Sequence, residues 1–477
     1  MRDSDPAQHD DLAQHAAYPA RAEGIRGPRL PRILPRRGET TSTGGTGWVL
    51  LARILGGVAF GATSALLARM LGPSDFGRYT FIASVAVGVG YLGAMGVNRT
   101  LLRDFAVSRH TGATPELARD QDLAVKILAI SVPAVGLSTA IGLRFLGYGG
   151  ESVWLTALVC VLVMQSALQL VVADSLRGLG HAVAASFLEG RSGGAASFLA
   201  LLILILPFAT HEVSLVEAVA LTALAYGIVL LVWARWLLPS WRSRHPRDGG
   251  IQADPASRGR FARVSASFLA AQMLAFGGTQ GDLWIVAGAA TPIGLALFSA
   301  AFRVTTIAAT PLVAVQLAWT PALAYLYAAR RTSDLEHVLK RAAAVATIPA
   351  AVSVLVFLFA GRWFMATVFG PVYAGSEPAL VWLCVGQLAN CATGLAGQAL
   401  TMTGFQRDVV IASAAAVGIK VLVGVPIASS GGIVAYAAFS AFATTALNLV
   451  LLVAARARLG LWAYPSFRRS TLAAVKA

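Results

Sequence analysis

From Gly47 onward the chain consists of recurring apolar stretches of about 20 residues, each long enough to cross the hydrocarbon core of a bilayer as a helix. Twelve such windows lie near 47–71, 78–97, 124–146, 152–173, 183–207, 214–236, 264–290, 295–320, 342–360, 376–401, 409–428 and 431–455. In hydrocarbon every backbone N–H and C=O must find a partner within the chain, so only helices and closed barrels span. The alternating apolar and polar strands of an outer-membrane barrel do not occur in the pattern. The windows therefore predict an all-α polytopic membrane protein with about twelve transmembrane helices.

Composition excludes the soluble alternatives. Of 477 residues, 56% are hydrophobic and 13% charged, with a mean hydropathy of +0.67. A soluble domain carries about 25% charged residues, and it needs a polar coat that this chain cannot supply. A soluble enzyme, a secreted scaffold and a disordered chain are all poor fits.

The 38 Lys and Arg residues outnumber the 23 Asp and Glu, giving a net charge of +15. In a soluble chain that excess would point to nucleic acid; in a membrane protein it marks the cytoplasmic ends of helices. With the N-terminus inside, thirty cations fall in inner segments, and only Arg69, Arg78, Arg144 and Arg362 sit at outer ends. Both termini are thus expected in the cytoplasm, and no nucleic-acid partner is expected. Residues 1–46 hold seven arginines and no apolar run. They read as a disordered basic cytoplasmic tail that can meet anionic membrane lipids, not as a cleaved signal peptide. Residues 456–477 read as a second basic cytoplasmic tail. Cys160, Cys384 and Cys391 lie in apolar stretches without metal-ligand spacing, so neither a metal nor a cofactor is expected.

The two halves of the chain echo each other. Pro73 corresponds to Pro292 and Pro207 to Pro426 at an offset of 219, Pro133 to Pro349 at 216, Gly180 to Gly404 at 224, and Tyr148 to Tyr373 at 225. Two six-helix lobes in the same orientation imply a pseudo-two-fold axis along the membrane normal, with a cavity between them. The expected organisation is a lobe at 47–236, a cytoplasmic linker at 237–263 and a second lobe at 264–455. Outer loops are short, and no HExxH, GxSxG or Walker A pattern occurs, so the architecture indicates a transporter and not an enzyme. The GxGxxG of Gly88, Gly90 and Gly93 lies inside an apolar span with no preceding strand. It reads as close helix packing, as do Gly57-xxx-Gly61 and Gly277-xxx-Gly281.

Several stretches resemble the polysaccharide transporter family, the O-antigen-type lipid-linked oligosaccharide flippases of the multidrug/oligosaccharidyl-lipid/polysaccharide exporter superfamily. Leu67-Ala68-Arg69-Met70-Leu71-Gly72-Pro73-Ser74-Asp75-Phe76-Gly77-Arg78-Tyr79 is similar to that family's LARxLGPxxFGxY signature. Asp282-Leu283-Trp284-Ile285-Val286 with Phe298-Ser299-Ala300-Ala301-Phe302-Arg303 resembles D-x-L-x-I…YSAAYR. Phe369-Gly370-Pro371-Val372-Tyr373-Ala374-Gly375 resembles FGPxYAG, and Gly397-Gln398-Ala399-Leu400 with Thr403-Gly404 resembles GQALxxTG. The resemblance runs from about residue 47 to 460. Thr291-Pro292-Ile293-Gly294 departs from the usual GP-x-x-x-G.

The resemblance implies a flippase of the bacterial inner membrane. It would move an undecaprenyl-pyrophosphate-linked oligosaccharide by alternating access, for O-antigen, capsule or exopolysaccharide assembly. A proton or sodium gradient would drive it, alongside other polysaccharide-assembly proteins. A pyrophosphate crossing hydrocarbon needs a hydrated cavity with cations. Charges inside spans are expensive and tend to face such cavities. Setting aside the thirty inner and four outer cations of the 38 leaves four within the spans. Arg53 is shallow, either a first contact for pyrophosphate or a snorkelling side chain. Arg303 is deep, either a substrate ligand or the ion-pair partner of Asp282. Arg191 lies beside Glu189 at a partly hydrated helix end, and Lys420 is mid-window between Ile419 and Val421. These four are the candidate substrate contacts, and Asp282 and Glu189 the candidate ion-coupling acids. Three other readings stand beside this flippase: an ion-coupled drug/cation antiporter of the same superfamily, which would want an acidic cavity; a membrane-embedded glycan polymerase or ligase, which would want a large external loop; and a peptidoglycan-precursor flippase of the same superfamily.

Overall fold

The computed structural model describes residues 43–466, except 112–114, 149–151, 189–193, 210, 244–254, 310–311, 314, 317–318, 320–322, 324–325, 328 and 394. The described residues of the twelve windows are predominantly helical, and no strand occurs among the described residues. Six of the described helices are long and apolar enough to cross a membrane, or up to eight if each bent pair is one span. The first half of the chain forms α1 (Thr43–Met70), α2 (Pro73–Ala94), α3 (Val97–Thr111), α4 (Pro115–Phe145), α5 (Val153–Gly178), α6 (Ala182–Leu188), α7 (Gly194–Ile205) and α8 (Leu215–Ser243). The second forms α9 (Pro255–Ala289), α10 (Pro292–Ala308), α11 (Thr332–Val368), α12 (Glu377–Thr393), α13 (Leu395–Met402) and α14 (Gln406–Leu459).

Local sequence explains where these helices start and stop. Pro73 and Pro292 each occupy the first turn of a helix, where a missing N–H costs nothing. The residues before them, Gly72 (φ −56°, ψ 158°) and Thr291 (φ −65°, ψ 158°), share one conformation. The departure at Thr291 therefore leaves the turn unchanged, and its hydroxyl accepts from Gly294 N at 3.1 Å as a helix cap. Met95 (φ 51°) and Gly96 (φ 72°) end α2 and turn the chain by 59° into α3. At Gly96 a Cβ would lie 2.0 Å from the Ser265 carbonyl oxygen, so glycine is required by the approach of α9 as well as by φ. The repeat is visible in the backbone: Gly180 and Gly404 follow α5 and α13 with φ of 96° and 94°. The run α14 is two limbs joined at Gly432 (φ 74°, ψ −173°). The second limb folds back on the first, bringing the Tyr436 ring against Gly424.

Three boundaries differ from expectation. The segment expected as a linker at 237–263 is helical at both ends, because α8 continues to Ser243 and α9 starts at Pro255. Arg456 and Arg458 extend α14 instead of opening a tail, and Leu461 and Ala463 are buried against Leu335, Leu339 and Leu395. Residues 1–42 and 467–477 of the expected tails lie outside the described residues. Pro133 and Pro349 sit inside continuous α4 and α11, each the third pass of its half.

The glycines of the GxGxxG stripe do pack closely. A Cβ on Gly88 would meet the Phe276 and Trp284 rings of α9, and Gly90 and Gly93 lie against Ser166 and Ala167 of α5. Gly61 likewise receives Ile307 of α10. Gly281 faces open space, so Gly277-xxx-Gly281 is not a close crossing.

The buried apolar residues fall into three clusters. One joins both halves at the end that holds Pro73, Pro292, Tyr148 and Tyr373, and includes Leu67, Phe76, Val286, Phe298 and Tyr436. At the other end the core divides. One cluster draws on α3, α4, α5 and α8 with Phe261, and another on α11, α13 and the limbs of α14. Apolar burial therefore joins the halves in one cluster at the first end, and at the other the cores are separate clusters, although Phe261 of α9 enters the first-half cluster and α9 meets Gly96, Asn98 and Thr100 there.

Candidate functional site

The shared end is stitched by polar contacts that cross between the halves. Tyr148 donates to the Ala287 carbonyl at 2.6 Å, and its repeat mate Tyr373 donates to the Ala68 carbonyl at 3.5 Å. Ala68 and Ala287 are themselves separated by 219 residues, the offset of Pro73 and Pro292. The contact is thus reciprocal, as a pseudo-two-fold axis requires. Burial pushes the Tyr148 phenol up, against the opposing pull of Arg78, so the hydroxyl remains a donor. Arg69 adds hydrogen bonds to the carbonyls of Val368 at 2.9 Å and of Thr367. Trp284 donates to Ser84 at 2.9 Å.

Arg303 lies deeper in this seam. It is 7% exposed on α10, and its guanidinium donates to Ser64 of α1 and, at 3.2 Å, to Thr80 of α2. It lies 4.7 Å from the centroid of the Phe60 ring and 5.7 Å from that of Phe76. Ser64 gives its own proton to the Phe60 carbonyl at 2.6 Å, which leaves a lone pair for Arg303. All these partners are neutral. No carboxylate of the described residues pairs with Arg303, and its Nε is buried without a hydrogen-bond partner. The arrangement carries a positive charge in a low-dielectric seam, and an anion brought there would be held strongly.

The expected ion pair between Asp282 and Arg303 is not formed. Asp282 of α9 pairs with Lys420 at 3.0 Å, and both are 7% exposed. Tyr436 donates to Asp282 Oδ1 at 2.7 Å, and Ser440 donates to Oδ2 at 2.9 Å. Lys420 also reaches Ser440 at 3.1 Å and Thr444 at 3.4 Å. The hairpin at Gly432 makes this possible, since Lys420 stands on the first limb of α14 and the three hydroxyls on the second. The Lys420 charge is compensated by Asp282 and is not presented to a ligand.

The other candidates are not gathered with these. Arg53 is half-buried on α1, eleven residues before Ser64 and so about 16 Å from it along the helix. Glu189 and Arg191 lie outside the described residues.

A third constellation escaped the sequence reading. Asp174, buried at the end of α5, pairs with Arg177 at 3.0 Å and Arg99 at 3.4 Å. It also accepts from Asn98 at 2.7 Å, and Asn98 in turn donates to Gln272 of α9 at 2.9 Å. Asp174 falls one residue past the fourth apolar window, and both arginines had been assigned to topology. The signal available was its i, i+3 spacing to Arg177 at a helix end. Among the described residues no three His, Cys, Asp or Glu side chains gather as metal ligands.

No family model matches the sequence, and no curated protein sequence matches it. Solved structures match the fold. The inward-facing conformation of a multidrug resistance MATE family transporter of the MOP superfamily aligns at a TM-score of 0.63 and 16% identity, covering 87% of this chain and 98% of that one. Lipid II flippase MurJ in an inward closed conformation aligns at 0.64 and 12% identity, covering 86% and 87%. A MOP superfamily transporter from Pyrococcus furiosus, whose reversed binding-pocket polarity suggests a different function, aligns at 0.57 and 18% identity, covering 87% and 95%. An outward-facing MATE structure aligns at 0.55. These neighbours are transporters, and at such identities the likeness is one of fold. The chain is a multi-pass helical membrane protein with the fold of MOP superfamily transporters.

Proposed function

We propose that the protein is a flippase of the bacterial inner membrane. It would carry a pyrophosphate-linked, undecaprenyl-anchored oligosaccharide from the cytoplasmic to the outer leaflet for polysaccharide assembly. The observation that carries this reading is Arg303, a buried cation between the halves with only neutral partners. A cargo bearing a diphosphate supplies the missing counter-charge, whereas a cationic drug would be repelled. The motifs around Arg69, Asp282, Tyr373 and Gly404 point to the same family, and the MurJ neighbour is a flippase of a lipid-linked cargo.

With the basic segments cytoplasmic, the shared core lies at the outer end and the divided cores at the inner end. In this reading two lobes, 47–236 and 264–455, with both termini cytoplasmic, are sealed together at the outer end, while α9 keeps contact with α3 at the inner end. Cargo would enter past Arg53, meet Arg303 when the seam that buries it parts, and leave on the outer side. Asp282 is the acid through which a proton gradient would act, since the Lys420 ammonium occupies the oxygens that a sodium ion would need there.

The test is genetic and chemical. Cells lacking the protein should accumulate a lipid-linked oligosaccharide on the cytoplasmic leaflet, cleared by the wild type and not by Arg303→Ala at equal protein level. Failure to accumulate any such lipid, with raised drug sensitivity instead, assigns the protein to drug/cation antiport, the reading nearer to its multidrug resistance MATE neighbour.

A further inference from the structure

The surroundings of Lys420 are those of a bound ion as much as those of a side chain. Three oxygens converge on its Nζ: Asp282 Oδ2 at 3.0 Å, Ser440 Oγ at 3.1 Å and Thr444 Oγ1 at 3.4 Å. One is a carboxylate and two are hydroxyls, contributed by α9 and by the second limb of α14. Hard oxygen ligands of this kind, with a single negative charge, are the donor set of a small hard cation. The set is built without Lys420. Ser440 gives its proton to Asp282 Oδ2, Tyr436 gives its proton to Oδ1, and so the remaining lone pairs face the ammonium.

Lys420 itself arrives from elsewhere. It stands on the first limb of α14, between Ile419 and Val421, which are both about half exposed. It reaches across the hairpin into a pocket made by other segments. A side chain whose only role was to pair with Asp282 would need one acceptor. This ammonium has an oxygen for each of its three protons.

We propose that the Asp282–Ser440–Thr444 pocket is a monovalent-cation site whose cation is the tethered ammonium of Lys420. An exchangeable sodium ion is thereby kept from this position, and shortening Lys420 would open the site to sodium. The proposal rests on the second half of the chain alone and stands whatever the cargo.

The test uses purified full-length protein and thermal unfolding in sodium chloride against choline chloride at equal ionic strength. The wild type should show no sodium-specific shift. Lys420→Ala should unfold at a lower temperature in choline chloride and regain stability saturably with sodium. Asp282→Asn/Lys420→Ala should lose that sodium response. Direct binding of radioactive sodium should give one site in Lys420→Ala and none in the other two. If Lys420→Ala cannot be recovered in choline but can be in sodium, the proposal is supported. If it cannot be recovered in either salt while the double variant can, the pocket does not take sodium and the proposal falls. It falls equally if Lys420→Ala loses the same stability in both salts, or if the wild type shows a sodium shift that Asp282→Asn removes.

Discussion

At the scale of the residue, two buried cations that look alike in the sequence are physically opposite. Lys420 is compensated, with Asp282 and two hydroxyls around it. Arg303 is uncompensated, with hydroxyls and aromatic faces only. Removing one partner of a buried pair strands the other and costs about 3–5 kcal/mol because an uncompensated buried charge is destabilising, so replacing a charge that already lacks a counter-charge by an apolar group of similar size relieves that penalty. Arg303→Met should therefore keep or raise the thermal midpoint while abolishing transport, and Asp282→Ala should lower the midpoint sharply. Differential scanning of the two variants against wild type checks both signs. The charges themselves were legible, since an ionisable residue inside an apolar window stands out. Their partners were not: Asp282 and Lys420 are 138 residues apart, and Tyr436, Ser440 and Thr444 are unremarkable until the hairpin brings them together. Asp174 was missed for the converse reason, as a charge just beyond a window looks like ordinary interface.

At the scale of the element, hydropathy located the helical stretches, because burying a hydrogen-bonded backbone in lipid demands long apolar runs. The windows ending near 97 and parting at 428–431 fall beside the α2–α3 break and the α14 joint, but hydropathy did not show the direction of either turn, which depends on the positive φ of Met95, Gly96 and Gly432. Gly96 and Gly432 separate two kinds of cost. Gly432 has φ of 74° and ψ of −173°, a region almost confined to glycine, and nothing within 4 Å of a Cβ, so Gly432→Ala should lose about 1–3 kcal/mol from backbone strain alone. Gly96→Ala also meets positive-φ strain and drives a methyl into the Ser265 carbonyl, adding about 1–3 kcal/mol of overpacking. Thermal midpoints should rank wild type, Gly432→Ala and Gly96→Ala in descending order. Equal midpoints for the two variants would deny the close approach of α9 to α3.

At the scale of the whole molecule, alternating access requires that the shared seam be strong enough to close and weak enough to open. Its cross-half contacts are few, and each single hydrogen bond contributes about 0.5–1.5 kcal/mol. Tyr148, at 2.6 Å, should contribute more than Tyr373, at 3.5 Å. Tyr148→Phe should raise the population open at this end by up to about tenfold, with a smaller effect for Tyr373→Phe and a near-additive one for the pair. A spin-label or fluorophore pair across the two ends reads those populations. The repeat offsets in the sequence anticipated that the halves would match. They did not anticipate that the mates Tyr148 and Tyr373 would grip each other's halves at mates Ala68 and Ala287, because symmetry of contact follows only once the axis is built.

The central claim is that an anionic lipid-linked cargo is moved past Arg303. The most direct measurement is translocation of a fluorescent polyprenyl-pyrophosphate oligosaccharide in liposomes containing the purified protein, followed by quenching from the outer leaflet. Wild type should move the lipid, and Arg303→Met, folded and equally incorporated, should not. Transport by Arg303→Met at the wild-type rate, or a wild type that ignores this lipid and moves an organic cation instead, would contradict the account.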